Sequence, residues 1–571
     1  MRYFCLTCDY DGTIAWDGRV SSSTVEALKR VKVSGRKLIL ATGRELPDLL
    51  QVFPEIAVFD RVVAENGALL YRPATQDHKT AGDPPPQEFV EELRTRGVHP
   101  ISVGERIVAT WHPWESQVLD VIRTLGLELQ VIFNKNAVMV LPAGVNKATG
   151  MQLALEELGL STHNVVGVGD AENDHAFLRI CECSVAVQNA LPALKDRCDW
   201  ITSASHGGGV EELVERLLSD DLQSLSPQLS RRWLLLGHTE RGEEFKLEPY
   251  GSRLLLAGPS GSGKSTTMTT ILERLVESGY QVCLVDPEGD YDEFESFVTL
   301  GAAARIPGIS EILEVLNTPK SLSINLLGIA LQDRPAFFQS LLGRIQELRS
   351  QTGRPHWIVI DEAHHLFPAE LGSVSLTIPK ELASMALISA HPDRIAEAVL
   401  ASVNCFIAVG ANAQTVISDF GRATGRLLQP SEVPHTTDRR GEVSVWPLSE
   451  ATRPFKIFVE PAKAQLRRHR RKYAEGELGE DKSFYFRGRG QKLNLRAQNM
   501  SMFAQIAGGV DEATWTHHLR NQDYSRWLRE SVKDTAVADE VAAIEQDRSL
   551  NASESLRRIL DTIKKHYTTS T

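Results

Sequence analysis

YFCLTCDYDGT, residues 3–13, sets an apolar run directly against two aspartates and a glycine. The run has the length and β-branched or aromatic content of a buried first strand. A turn at Gly12 lets Asp9 and Asp11, at i and i+2, both face the crevice that α/β folds leave beyond their strand C-termini. One carboxylate can then attack phosphorus while the other handles the leaving-group proton. Cys5 and Cys8 have CxxC spacing, but inside such a strand they read as packing residues; seven cysteines in 571 residues make no disulfide framework.

Three downstream stretches repeat the strand-then-polar pattern. KLILATGR (37–44) ends a second strand at Thr42, whose hydroxyl can hold a phosphate oxygen; PAGVNKATG (142–150) sets Lys147 at a helix start; VVGVGDAENDHAFL (165–178) brings Asp170 and Asp174 to another strand end. Clustered carboxylates repel unless a divalent cation neutralises them, and Mg2+ prefers oxygen ligands. Short β-branched runs alternating with helical stretches over residues 1–221 predict a parallel sheet covered by helices.

Together these four motifs resemble the haloacid dehalogenase phosphatases of the Cof-like type IIB branch. The resemblance implies that Asp9 becomes an aspartyl-phosphate, that Asp11 is general acid and base, and that Thr42 and Lys147 bind phosphate. It also implies a Mg2+ shell of Asp9, Asp170 and a carbonyl at Asp11, supported by Asn173 and Asp174, and a substrate-selecting cap at about 73–145. Arg44 and Asn66 would assist from the core.

A second α/β rhythm starts at Trp233 after LQSLSPQLS (222–230), read as a linker over 222–232. RLLLAGPSGSGKS (253–265) is strand, glycine loop and helix, the complete GxxxxGK[ST] pattern. Backbone N–H groups around Gly258, Gly261 and Gly263 wrap phosphates, Lys264 reaches the outer ones, and Ser265, with Thr266 beside it, serves nucleotide and metal. WIVIDE (357–362) then ends in Asp361, for the metal shell, and Glu362, placed to activate water. ATP and Mg2+ are the cofactors this implies.

QVCLVDPEGDYDEF (281–294) resembles the Asp-Pro-x-Gly-Glu-Tyr segment of HerA and FtsK type ATPases. It leaves Glu288 or Asp290 as a further active-site carboxylate, and LISAHP (387–392) puts His391 where a polar sensor is usual in that class. Arg422 and Arg426, in FGRATGR, stand where the class presents an arginine to a neighbour's nucleotide. The resemblance thereby implies a homo-oligomer, a hexameric ring by analogy, with the ATPase over 233–460.

The remainder, 461–571, is expected to be mainly helical after a basic run, Lys463, Arg467, Arg468, Arg470, Arg471 and Lys472, a candidate contact for DNA or RNA. Trp515, His517, His518, Tyr524 and Trp527 fall at helical spacing and read as core. A formal charge of −12 excludes a uniformly basic surface; no apolar run approaches a membrane span, and the first residues lack a cleavable signal, so a cytoplasmic protein is expected. The leading reading is a Mg2+-dependent phosphomonoesterase, acting on a small substrate, fused to an ATPase. A nucleic-acid translocase with end-trimming activity and a polynucleotide kinase-phosphatase share the same motifs; the cap, GDxxND and IDE motifs favour ATP hydrolysis over the kinase.

Overall fold

The computed structural model describes the chain except residues 260, 290, 292, 293, 295, 370–383, 427, 438, 440, 449–451, 463–482, 489–492, 533–534 and 568–571. Asp290 and the basic run from Lys463 to Lys472 therefore lie outside the described residues. Two compact units emerge: Met1–Lys264 with Arg274–Val459, and Ser265–Glu273 with Glu460–Thr571. Among the described residues no helix is long and apolar enough to cross a membrane.

The first unit holds two α/β sheets. One is eight-stranded, and its fully buried strand Cys5–Asp9 runs parallel between Lys37–Ala41 and Val165–Gly169. Strands buried on both faces read as continuous apolar runs, which is why CLTCD, KLILA and VVGVG lack alternation. Their C-terminal ends carry Asp9, Thr42 and Asp170 side by side. Helices Ser22–Val33 and His206–Asp220 pack together with Val25, Leu28, Val31, Leu213 and Leu217 in the core. Cys5 and Cys8 are buried there as free thiols.

Between the strands of this sheet is a separate layer, a four-stranded antiparallel sheet with helices Gln87–Thr95 and Glu115–Thr124 around Phe89, Leu93, Val118 and Val140. The strand Asp77–Thr80, inside the stretch expected as cap, instead closes the edge of the eight-stranded sheet against Leu69–Arg72. The 222–230 stretch turns through a 3-10 segment, Gln223–Gln228, and buries Leu222, Leu225 and Leu229 in the first domain's core.

The other sheet has eleven strands. Its parallel centre orders Arg253–Ala257 between Met385–Ser389 and Cys405–Val409, with Trp357–Ile360 and Val282–Asp286 beyond. Four antiparallel strands extend it past Cys405–Val409: Glu442–Pro447, Phe455–Val459, Leu234–Thr239 and Glu244–Leu247. The parallel centre is the doubly wound α/β sheet expected, and the antiparallel wing is added to it by strand pairing between partners far apart in the chain.

Where the two sheets' domains meet within this unit, Glu182 is 1% exposed and accepts from Arg2 at 2.6 Å, His163 Nδ1 at 2.7 Å and the Tyr280 hydroxyl at 3.2 Å. Burial alone would push its carboxyl up, but His163, Arg2 and Arg232 outweigh burial and hold it well below the usual carboxylate range. A depressed folded-state pKa stabilises the fold above the ordinary value of 4.5, and that stabilisation is lost as pH falls through and below it. Glu182→Leu is expected to cost about 3–5 kcal/mol, because it strands the buried guanidinium and imidazole. Denaturant melts at pH 7 check the loss; an unchanged midpoint would refute it.

In the second unit a hairpin, Phe484–Phe486 with Leu495–Ala497, joins five described helices. Trp515, Tyr524 and Trp527 form its core with Phe484 and Phe503, and Trp515 stacks on Tyr524 at 4.4 Å. His518 is buried, accepting from Arg487 N through Nε2 and donating to Asp523 through Nδ1, while His517 is half-buried. Packing thus accounts for this aromatic group.

Candidate functional site

Asp9 ends the central strand and is 4% exposed. Helix Lys147–Leu158 is started by Asn146, whose side chain accepts from Ala148 N and Thr149 N while Thr149 returns a bond to Asn146 N. That capping box fixes the first turn and aims Lys147, 1% exposed, into the carboxylates: Nζ lies 2.5 Å from Asp9 Oδ1 and 2.7 Å from Asp174 Oδ1. Asp174 Oδ2 accepts the backbone N–H groups of Asp170 and Ala171. Burial, then Asp174, raises the Asp9 carboxyl well above its ordinary value, and the same two causes raise Asp170. Burial opposes charge on Lys147, yet Asp174 and Asp9 prevail and raise its pKa.

Ligand oxygens of Asp9, Asp170 and Asp174 all lie within 4.8 Å of one another. Three buried carboxylates against two lysines, the buried Lys147 and the half-exposed Lys135, still make an oxygen-only donor set with one negative charge in excess, which fits a hard divalent cation. Gly12, at φ +88°, turns the chain beneath them; a Cβ there would stand 2.3 Å from Asp170 Oδ2, so this position admits glycine alone. Its carbonyl accepts from Asn189 at 2.8 Å and faces His206 Nδ1 at 3.0 Å.

Asp11 sits apart from the three carboxylates, its side chain 40% exposed and gripped by Arg44 through two bonds of 2.7 Å. Arg44 also reaches Asp48 at 2.6 Å. Thr42 is buried beside them; its hydroxyl oxygen accepts from Arg44 N at 3.1 Å, leaving its proton for another acceptor. Asn173 donates to Asn66 at 2.9 Å. Sequence reasoning missed Lys135. It lies at the tip of the hairpin joining Leu129–Asn134 to Ala137–Pro142, and its Nζ donates to Asp170 Oδ2 at 2.9 Å. The available signal was the turn NKNA between two apolar runs, which marks a hairpin tip but not what it touches. The antiparallel layer is further seated by Glu65, whose carboxylate accepts from Glu105 N and Arg106 N.

In the eleven-stranded sheet the glycine loop follows strand Arg253–Ala257 and leads into helix Lys264–Glu277. At Gly258 a Cβ would meet Val409 O at 2.3 Å, so the loop's close approach to the neighbouring strand requires glycine. Gly261 and Gly263 have φ of +77° and +103°. Lys264 is buried with Nζ on Pro259 O at 3.2 Å; Ser265 and Thr266, on the helix's first turn, are exposed and half-buried. Asp361 is buried at the end of Trp357–Ile360 and accepts from Glu362 N at 2.9 Å.

Glu362 is held at φ +41°, a left-handed conformation costly for a side-chain-bearing residue. Burial pushes its carboxyl above its ordinary value, against the pull of Lys264 and with a further push from Glu288. Its Oε2 lies 3.3 Å from His364 Nδ1, a residue the sequence reading passed over. Burial, then His365, lowers the His364 pKa to about 4. His391 stacks edge-on against His364 at 5.3 Å. Glu288 is exposed, while Asp286 accepts the N–H groups of Glu288, Gly289 and Tyr291 and so shapes the turn. Arg422 is exposed and paired with Asp419; Arg426 donates to Leu448 O at 3.1 Å.

With this geometry in place, comparison with known proteins is specific. The profile of the haloacid dehalogenase-like hydrolases matches residues 6–96 and 123–214, and that of the helicase HerA central domain matches 250–354. A phosphoglycolate phosphatase of Methanothermobacter thermautotrophicus is 30% identical over 221 residues, 37% of this chain and 98% of that protein. Phosphoglycolate phosphatase 2 of Saccharolobus solfataricus is 30% identical over 222 residues, 38% of this chain and 92% of that protein. A solved haloacid dehalogenase-like hydrolase from Bacteroides thetaiotaomicron is 21% identical with a TM-score of 0.33, covering 38% of this chain and 99% of its own. The chain therefore belongs to the haloacid dehalogenase-like hydrolases through its first sheet, and carries a HerA central domain in its second.

Proposed function

We propose that the chain is a Mg2+-dependent phosphomonoesterase acting through an aspartyl-phosphate on Asp9, joined to an ATP-hydrolysing HerA-like domain. Residues 1–221 carry the first activity, with a cap within 73–145, and 233–460 the second. The observation that carries the phosphatase reading is Lys147, buried between Asp9 and Asp174 at the end of the central strand, with Asp170 beside them.

Asp9 attacks phosphorus in line; an O–P bond forms as the ester O–P bond breaks, and Asp11 gives its proton to the leaving oxygen. Water then attacks the aspartyl-phosphate, Asp11 takes its proton, and phosphate leaves with Asp9 restored. Arg44 must release one of its two bonds to Asp11 in this cycle, which suits a group that can turn to the incoming substrate. Lys147 and the Thr42 hydroxyl hold phosphate oxygens. Asp9, Asp170 and Asp174 would hold Mg2+, which when bound would neutralise charge between the phosphate and the carboxylates.

The proteins similar to this one are named for phosphoglycolate, and a cation on the cap supports a small substrate with a second anionic group. Lys135 is half-exposed and within reach of the phosphate site through Asp170. Lys135→Ala is expected to raise KM for phosphoglycolate on the order of 10- to 100-fold, the value of one charge-assisted hydrogen bond. Turnover of an aryl phosphate without a carboxylate should change little. EDTA should abolish both activities and Mg2+ restore them. Equal loss on both substrates would remove Lys135 from substrate selection, and EDTA-resistant turnover would remove the metal.

For the second domain, the glycine loop with buried Lys264 and the strained Glu362 supports ATP hydrolysis. Arg422, exposed on helix Ala413–Ala423 and paired there with Asp419, suits a contact to a neighbouring subunit. A ring is then expected, and native mass spectrometry should give a multiple of the 63.2 kDa chain; a monomer at working concentration would end that reading.

A further inference from the structure

The four-stranded antiparallel layer is seated on the eight-stranded sheet's domain at two places by carboxylates that take backbone N–H groups. Glu65, 1% exposed, accepts from Glu105 N and Arg106 N and is fixed by its burial. At the hairpin tip the exposed Glu172 accepts the backbone N–H of Lys135 through Oε2 at 3.1 Å. Glu172 opens the short turn Glu172–Asp174, between the carboxylates of Asp170 and Asp174 in the chain. The tip is thereby registered directly on the loop that carries both.

The turn at the tip is not shaped for its own stability. Asn134 pairs with Ala137, which leaves Lys135 and Asn136 as a two-residue turn. Lys135 has φ +53°, and hairpins of this length favour glycine at a first turn position with positive φ. A long side chain there is strained, and such strain persists where surrounding contacts over-determine it. Two contacts do so, and they act on different parts of the residue: Nζ donates to Asp170 Oδ2 at 2.9 Å, while the backbone N–H goes to Glu172. To meet a substrate's second anionic group, Nζ must leave Asp170. The bond to Glu172 need not break when it does, so the backbone stays over the site while the ammonium turns.

Granted the substrate-selecting role given to Lys135 above, we propose that Glu172 is its positioning residue. It seats the hairpin tip so that the Lys135 ammonium reaches the substrate, and thereby sets the preference for a phosphomonoester carrying a second negative group. Glu172 acts here through an acceptor oxygen on a backbone N–H, so the role needs the oxygen and not the charge.

The test compares the full-length parent with Lys135→Ala, Glu172→Ala and Glu172→Gln. Glu172→Ala should raise KM for phosphoglycolate roughly 5- to 20-fold and leave kcat within about twofold, the scale of losing one exposed hydrogen bond to a charged group. Glu172→Gln, whose amide oxygen still accepts the N–H, should keep KM within about threefold of the parent. The Lys135→Ala, Glu172→Ala double variant should match Lys135→Ala alone to within about twofold, because nothing is left for Glu172 to position. Hydrogen exchange at the Lys135 amide should quicken in Glu172→Ala and stay slow in Glu172→Gln. Melting curves check the fold, and Glu172→Ser repeats the loss should Glu172→Ala fail to fold. If Lys135→Ala itself does not discriminate phosphoglycolate from an aryl phosphate, the selecting role of Lys135 falls and the positioning role with it. If Lys135→Ala does discriminate, an unchanged KM in Glu172→Ala, equal losses in the Ala and Gln variants, or effects that multiply in the double variant would overturn the role of Glu172 alone.

Discussion

Asp9→Asn is expected to lower phosphatase turnover by roughly 10⁴- to 10⁶-fold, the scale of losing a covalent nucleophile whose neighbours remain. An amide oxygen keeps the hydrogen bond from Lys147 but cannot form the aspartyl-phosphate. ATP turnover should stay within about twofold of the parent, since the glycine loop and Glu362 lie on the other sheet. The same substitution carries an opposite expectation for stability. Asp9 is a buried carboxylate pressed by burial and by Asp174 toward its neutral form. Removing its charge relieves that pressure, so the metal-free protein should melt no lower than the parent and lose its stabilisation by Mg2+. Phosphate release and melting curves with and without Mg2+ measure both halves. Retained phosphatase activity in the purified variant would remove Asp9 as the nucleophile; a collapsed fold would point to a structural role for it.

Glu362→Gln should bind ATP with little change and hydrolyse it about 10²- to 10⁴-fold more slowly, the usual cost of a lost positioned base. Three features of this residue support the expectation. It follows the buried metal-shell candidate Asp361, it is held in a strained left-handed conformation, and burial raises its carboxyl toward proton-accepting range. Lys264→Ala separates binding from chemistry, because losing the lysine weakens nucleotide binding itself. Equilibrium binding of a fluorescent ATP analogue beside steady-state hydrolysis distinguishes the two variants. Normal hydrolysis by Glu362→Gln would shift the role to Glu288, which is exposed near it, or to Asp290.

Much of both centres was legible because their chemistry is written in short local patterns. DYDGT, ATGR, NKATG and GDAEND each place a polar group just past a strand or at a helix start, and a parallel sheet gathers such ends on one edge whatever the loops between them do. The glycine loop is more local still: its phosphate-wrapping geometry is carried by consecutive residues and by backbone angles that only glycine adopts freely. The aromatic group around Trp515 could likewise be assigned to packing from helical spacing.

What the sequence could not supply are contacts between segments with no fixed spacing. Lys135 meets Asp170 only because an antiparallel layer folds its hairpin tip over the sheet's edge, and a hairpin turn looks the same wherever it lands. Arg44 was placed near the site, but its double grip on Asp11 depends on side-chain direction, which motif order does not contain. The four-stranded antiparallel wing pairs Leu234–Thr239 with Phe455–Val459, more than 200 positions later in the chain, a register no local period encodes. LQSLSPQLS reads as a linker by composition, yet its leucines are spaced to reach a core that exists only once the first sheet has formed. The phosphate chemistry was therefore determined by the sequence alone, since it needs only residue types at strand ends. Tertiary structure decided which second cation meets Asp170, how Asp11 is restrained and where the two domains meet, because burial and hydrogen bonding there join residues brought together by the fold itself.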